Sequence, residues 1–224
     1  MQIQPHHSWS LTATEAIALQ EKLTQEVITE DDIPQPVQYV AGVDMAFESS
    51  GTISRAAVVV LSFPELQVQE YAIARRATSF PYIPGLLSFR EIPALLDALA
   101  KIQIVPDLIL CDGQGIAHPR RLGIASHLGI ILDMPTIGVA KSLLVGKHKE
   151  VLNIKGSWQP LIHRQETIGA ALRTRVGTKP VYVSSGHRIS LPTAIDYVLQ
   201  CTPKYRLPET TRIADKLSKS PQVN

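Results

Sequence analysis

The sequence predicts an α/β domain built on a mixed sheet with helices on its faces. Two observations carry this. Three β-rich runs follow one another with only short turns between them, as antiparallel hairpins do. From about residue 88 the pattern changes to helices alternating with short apolar strands, the signature of parallel β-α-β units. The chain has 224 residues, which suits one compact domain, because a single core of that size buries most of its apolar surface.

Thr12-Ala-Thr-Glu15 fits a capping box, and Ile17, Leu19, Leu23, Val27 and Ile28 are spaced as an apolar stripe, so a helix is expected over 12–30. Asp31-Asp-Ile-Pro-Gln-Pro36 breaks it and serves as a linker. Strands are expected at Gln38–Phe47, Ile53–Phe63 and Leu66–Thr78, joined by Glu48-Ser-Ser-Gly51 and a turn at Pro64-Glu65. Ala56-Ala-Val-Val-Val-Leu61 is apolar on both faces, as a covered central strand should be. A helix over 88–101, a strand over 107–112, a helix over 123–132 and a strand over 135–140 follow. Strands over 167–175 and 180–184 and helices over 192–202 and 209–218 complete the series. The expected division is an N-terminal helix and linker (1–37), a core (38–218) and a frayed tail (219–224).

Hydrophobic residues make up 45% and charged residues 19%, an ordinary globular composition. No apolar run approaches the roughly 20 residues needed to span a bilayer, so no membrane partner is expected. Met1-Gln-Ile-Gln-Pro-His-His has no basic segment leading into an apolar one, so no secretory signal is expected. Cys111 and Cys201 lie far apart and match no metal spacing. Free thiols in a reducing cytosol are the reading, hence a cytoplasmic location. No long heptad pattern appears, and a monomer is expected.

Charge is uneven. Residues 1–114 hold 6 Lys+Arg against 14 Asp+Glu, a net of −8, whereas residues 115–224 hold 16 against 6, a net of +10. This fits a polyanionic partner for the second half, and equally two halves that attract each other once folded.

Three acids stand in unusual places. Asp44 follows Val40-Ala-Gly-Val43 inside a strand that otherwise reads as buried. Asp112 ends Leu108-Ile-Leu-Cys111 and precedes Gly113-Gln-Gly115. Burying an unpaired carboxylate costs several kcal/mol, so each needs a metal, a cation or a hydrogen-bonded cap. Asp112 could cap a turn; Asp44 has no turn until Glu48. If the first and fourth strands are parallel neighbours, the two acids project side by side and call for a cation between them. Hard oxygen ligands suit Mg²⁺ or Mn²⁺, and a pair of such ions can hold both the attacking and the leaving oxygen of a phosphodiester. Glu91 is the candidate third acid, but Ser88-Phe-Arg-Glu91 also reads as a capping box with a purely structural glutamate.

Gly42-Val-Asp44, Pro81-Tyr-Ile-Pro-Gly85, Ser88-Phe-Arg-Glu91, Asp112-Gly-Gln-Gly115, His118-Pro-Arg-Arg-Leu-Gly123, Gly138-Val-Ala-Lys141 and Ser185-Gly-His-Arg188 occur in this order. Together, from about residue 40 to 215, they resemble the endonuclease V family. The resemblance implies a ribonuclease H-like fold with a mixed five-stranded sheet flanked by helices. It implies that Asp44, Glu91 and Asp112 hold a divalent metal. It also implies cleavage of one phosphodiester bond beyond a deaminated nucleotide, deoxyinosine above all, on its 3′ side, with inosine in RNA as a further substrate. Gln114 departs from the His or Asn expected within the Asp-Gly-x-Gly motif, and residues 1–37 carry no motif.

Within this frame, Tyr82, stiffened by Pro81, Ile83, Pro84 and Gly85, is a candidate wedge that fills the gap left by a flipped nucleotide, or else a packed turn residue. Gly113 and Gly123 permit close backbone approach to a base edge, or are ordinary turn glycines. His118 and Arg120 are candidates for substrate contact, Arg120 as a phosphate fork. Lys141 stands where it could stabilise charge on the phosphate, and His187 where it could ligate metal or orient water. A non-catalytic lesion-binding protein and the excision-repair incision nuclease of the same fold remain the alternatives.

Overall fold

A computed structural model describes residues 7–220. Its helices are α1 (Ala13–Leu23), α2 (Leu87–Leu99), α3 (Ile124–Leu132), α4 (Leu191–Gln200) and α5 (Glu209–Lys219). Its strands are β1 (Tyr39–Glu48), β2 (Ile53–Ser62), β3 (Val68–Ala77), β4 (Leu108–Cys111), β5 (Thr136–Ala140), β6 (Trp158–His163), β7 (Glu166–Leu172) and β8 (Val181–His187). The sheet has eight strands in the order β3-β2-β1-β4-β5-β8-β7-β6. β1/β4 and β4/β5 are parallel and the other pairs antiparallel.

The expectation of five strands is therefore too small: three antiparallel strands continue the sheet beyond β5. β6 escaped notice for two local reasons. Its Pro160 lacks an N–H, which an edge strand tolerates. Its two-residue turn to β7 is Arg164-Gln165, with φ of 54° and 69°, a left-handed pair normally signalled by Asn or Gly.

Residues alternate between two cores. Val40, Val59, Leu61, Leu108 and Leu110 pack under α4 and α5 with Ala194, Val198 and Ala214. Ala41, Val43, Val58, Val60, Ile109 and Cys111 pack on the other face with Ile92, Leu95 and Leu99 of α2 and Leu128 of α3. Gly42 lets α5 lie directly on β1: a Cβ there would stand 2.2 Å from the Thr210 carbonyl carbon and oxygen.

The first helix has the expected cap, with the Thr12 amide donating to Glu15 Oε2 at 2.7 Å. It ends at Leu23, passes through a short 3-10 turn, and is extended by Val27, at ψ 121°. Tertiary bonds explain the early stop. The Arg188 amide donates to the Ile28 carbonyl at 2.7 Å, and the Thr24 hydroxyl donates to the Arg120 carbonyl at 2.9 Å. At the other end α5 carries Lys219, and the Ser220 amide donates to the Leu217 carbonyl, so fraying does not begin at 219. Residues 1–6 and 221–224, where a leader and most of the frayed tail were considered, lie outside the described residues. Among the described residues no helix is long and apolar enough to cross a membrane.

Candidate active site

β1 and β4 lie parallel with Val43 opposite Cys111, so Asp44, in the middle of β1, and Asp112, just past the end of β4, follow side by side. Val43 and Cys111 face the α2 side. The next residue of each strand turns toward the opposite side, where α5 brings in Asp215. Asp44, Asp112 and Asp215 each offer a carboxylate oxygen within 4.8 Å of the others, the one such group of potential metal-holding side chains among the described residues. Asp215 was absent from the sequence reading. The buried Ser218 hydroxyl, one turn further along α5, donates to Asp44 Oδ2 at 2.8 Å.

Lys141, just past β5, places Nζ 2.5 Å from Asp112 Oδ2 and 3.4 Å from Asp215 Oδ1. Burial works to lower its pKa, but the hydrogen bond and charge of Asp112, with Asp215 and Asp44, raise it overall. Asp215 moves the other way: burial opposes ionisation, yet Lys219 and Lys141 hold it below the usual carboxylate range. Asp44 is pushed up to about 6, chiefly by burial and then by Asp112 and Asp215, against the Ser218 bond and Lys141.

Glu91 is not part of the three-carboxylate group. It stands on α2, on the other face of the sheet, and borders a small cavity shared with Asp44 and Asp112. Burial, reinforced by Asp44 and Asp112 and opposed by Arg90, pushes it up to about 8. Its capping-box reading fails. The cap position of α2 is Leu86, with no side-chain bond, and the Ser88 hydroxyl pairs instead with Nδ1 of the buried His127 at 3.0 Å.

These shifts set a pH dependence. Asp44 and Glu91 have folded-state values above those of an unfolded chain, so the metal-free fold binds more protons. The stability carried by their neutral forms is fully present below about pH 4 and is lost as pH rises through 6 and then 8. Glu91→Gln keeps the neutral shape. In thermal melts with chelator it is expected to raise the melting temperature at pH 9 and leave it nearly unchanged at pH 5.

Beside the carboxylates lies a pocket of about 370 Å³, lined among others by Tyr82, Gly85, Gly113, His118, Gly123 and Lys141. Tyr82 is 69% exposed at its margin, so it is not a core residue. Pro84 lines the pocket, Pro81 is exposed beside Tyr82, and Ile83 packs on the cluster around Phe80, Leu86 and Phe89. Gly85 has φ +80°, a conformation that favours glycine. Gly123 has an internal reason to lack a side chain: a Cβ would stand 2.3 Å from the Gln114 carbonyl oxygen. Gln114 Nε2 donates to the Ser142 carbonyl at 3.2 Å, and its buried Oε1 has no hydrogen-bond partner among the described residues.

Two sequence candidates change role. Arg120 is not a free phosphate fork: Nε donates to Gln20 Oε1 at 2.6 Å and Nη2 to the Gly85 carbonyl at 2.7 Å. His187 lies opposite Thr136, at the start of β5, whereas Lys141 follows its end. Asp112 follows Cys111, which pairs with Gly138, so at about 3.3 Å per residue His187 lies roughly 10 Å back along the strands from it, and two strands across. Its Nδ1 accepts from the Ile28 amide at 3.3 Å and its Nε2 lies 3.6 Å from Asp133. His118 stays within the pocket lining, where burial, with Arg120 and Arg121, pushes it down to about 4 against a bond with the Gly85 backbone; it is neutral at pH 7.

A family model described as Endonuclease V matches residues 21–216. An endonuclease V from Nostoc is 77% identical over 218 residues, covering 97% of this chain and 99% of the relative. The crystal structure of Streptomyces avermitilis endonuclease V superposes with a TM-score of 0.90 at 47% identity, covering 95% of this chain and 93% of that one. Ciona intestinalis endonuclease V, solved with a 24mer DNA containing an inosine followed by a ribo-adenosine, superposes at 0.81 with 32% identity over 92% of this chain and 95% of that one. Two aspartates side by side on neighbouring parallel strands, a third on α5, a lysine among them and a pocket bordered by an exposed tyrosine thus stand in a chain that belongs to the endonuclease V family.

Proposed function

We propose that the protein is a repair endonuclease that captures a deaminated base, hypoxanthine in DNA above all, and hydrolyses a phosphodiester bond on its 3′ side, one nucleotide beyond the lesion. The observation that carries this reading is the group Asp44, Asp112 and Asp215 beside the pocket that Tyr82 borders. The run β3-β2-β1-β4-β5, antiparallel and then parallel, supports a ribonuclease H-like core within the larger sheet.

Three carboxylates with an ammonium already among them fit a hard divalent cation such as Mg²⁺ or Mn²⁺. Asp44, Asp112 and Asp215 would hold it, and it would supply Lewis-acid activation of phosphate and water. Its charge would favour ionised Glu91, which completes the negative site. Lys141 is placed to offset charge that builds on the phosphate oxygens as water adds and an ester bond breaks. His187, in its observed position, takes no part in this chemistry.

Tyr82 acts as the wedge. Its exposed ring fills the gap in a duplex while the extruded base enters the pocket. Hypoxanthine offers a carbonyl and a protonated N1 where adenine offers an amine and a bare nitrogen, so polar groups placed for one reject the other. A non-catalytic lesion binder leaves three clustered carboxylates without a purpose.

The test is nicking of a deoxyinosine oligonucleotide with Mg²⁺. Wild type is expected to cut and Asp44→Ala not to. Tyr82→Ala should lose roughly 1–3 kcal/mol of base–aromatic stacking, mostly on duplex substrate. No cutting by wild type, or cutting that survives Asp44→Ala, overturns the assignment; an unimpaired Tyr82→Ala overturns the wedge. Matched DNA and RNA inosine oligonucleotides, cut in parallel, decide between the two substrate backbones.

A further inference from the structure

The N-terminal helix carries no recognised motif, and the matched family region begins at residue 21. Yet Gln20, the residue before it, is 1% exposed and lines the pocket. It occupies the buried stripe of α1 with Ala16 and Leu23, where a leucine would satisfy packing alone. A buried amide is costly unless its polar atoms are all bonded, and these are. Nε2 donates to the Gly85 carbonyl at 3.0 Å and to the Leu122 carbonyl at 3.1 Å. Oε1 accepts from Arg120 Nε at 2.6 Å, and the same guanidinium donates through Nη2 to the Gly85 carbonyl at 2.7 Å. One turn on, the Thr24 hydroxyl donates to the Arg120 carbonyl at 2.9 Å.

One side chain therefore ties together two segments that line the pocket from different parts of the chain: the loop ending at Gly85 and the turn Leu122-Gly123. They cannot separate without breaking a bond to the same nitrogen. We infer that Gln20 is a positioning residue for base recognition, holding the pocket at the width and backbone orientation that admit the extruded base. The inference rests on the reading of this pocket as the lesion site. The Gln20 side chain bonds Gly85, Leu122 and Arg120 and not Asp44, Asp112, Asp215 or Lys141, so it should govern capture and not the cleavage step.

The experiment is single-turnover cleavage of a deoxyinosine duplex by the full chain over a range of enzyme concentrations, beside thermal melts and Mn²⁺ binding. Gln20→Glu keeps the shape and the acceptor for Arg120 but turns an oxygen on both carbonyls; Gln20→Leu removes all the bonds. Both are expected to raise the half-saturating concentration at least tenfold, with the plateau rate within threefold of wild type and Mn²⁺ binding unchanged. Thr24→Val, which removes the hydroxyl shared between the Gln20 and Arg120 carbonyls but leaves the Gln20 side-chain bonds in place, should shift half-saturation in the same direction by a few-fold and keeps the test open should the Gln20 variants fold poorly. Half-saturation within twofold of wild type in the folded variants overturns the inference alone. So does a plateau rate that falls in step with the melting temperature, since that marks a merely structural residue. A wild type with no preference for inosine over adenine overturns the lesion-site reading itself, and the inference with it.

Discussion

Asp215→Asn is expected to lower the cleavage rate at least about 100-fold and to weaken Mn²⁺ binding markedly, with the fold intact. Removing even an outer partner of a metal ligand commonly costs 10- to 100-fold in affinity or activity, and Asp215 offers an oxygen directly to the group made with Asp44 and Asp112. The substitution also leaves Lys141 and Lys219 with one carboxylate fewer between them. Both ion pairs are partly solvent-exposed and worth little to stability, so the melting temperature should move by no more than a few degrees. Metal titration followed by single-turnover cleavage checks this. Wild-type cutting by Asp215→Asn would show that Glu91, across the sheet, is the effective third acid.

Gly42→Ala should be as damaging to activity by a different route, and damaging to stability as well. The added methyl would stand 2.2 Å from the Thr210 carbonyl, a contact with backbone, so no side-chain change at Thr210 relieves it. α5 must move off β1, at a cost of about 1–3 kcal/mol or more for overpacking. With it move Asp215, the proposed third metal ligand, and Ser218, whose hydroxyl holds Asp44 Oδ2. The C-terminal turn of α5 is also held by the buried Arg55, which bonds the Leu217 and Ser220 carbonyls, so the helix cannot simply slide. Thermal melts and Mn²⁺ affinity should fall together. A variant that loses stability but binds Mn²⁺ as wild type would show that Asp215 is not carried by this contact.

Much of this molecule was legible before folding was considered. The first three strands, the alternation after them and the ends of most elements follow from local periodicity. Asp44 and Asp112 stood out because each interrupts an apolar run, where a lone charge is expensive. Their pairing needed only that β1 and β4 be parallel neighbours. β6 was hidden by an edge proline and an unusual turn, and the first helix was read too long because bonds to Arg188 and Arg120, distant in sequence, end it.

What the sequence by itself determined was thus the mixed sheet, the two aspartates that interrupt apolar strands and the family motifs, because burial cost and periodicity act on neighbours along the chain. What only the tertiary structure decided was the third clustered carboxylate, the position of His187 and the burial and bonding of Gln20. Asp215 sits on a polar helix four residues before Lys219, where it reads as a solvated surface charge. Gln20 reads as one polar residue on an amphipathic helix, and His187 as part of a motif. Each takes its meaning from a partner more than 50 residues away, and no local preference encodes that distance: close packing of α5 on β1, of α1 under the pocket and of β8 beside β5 settles it.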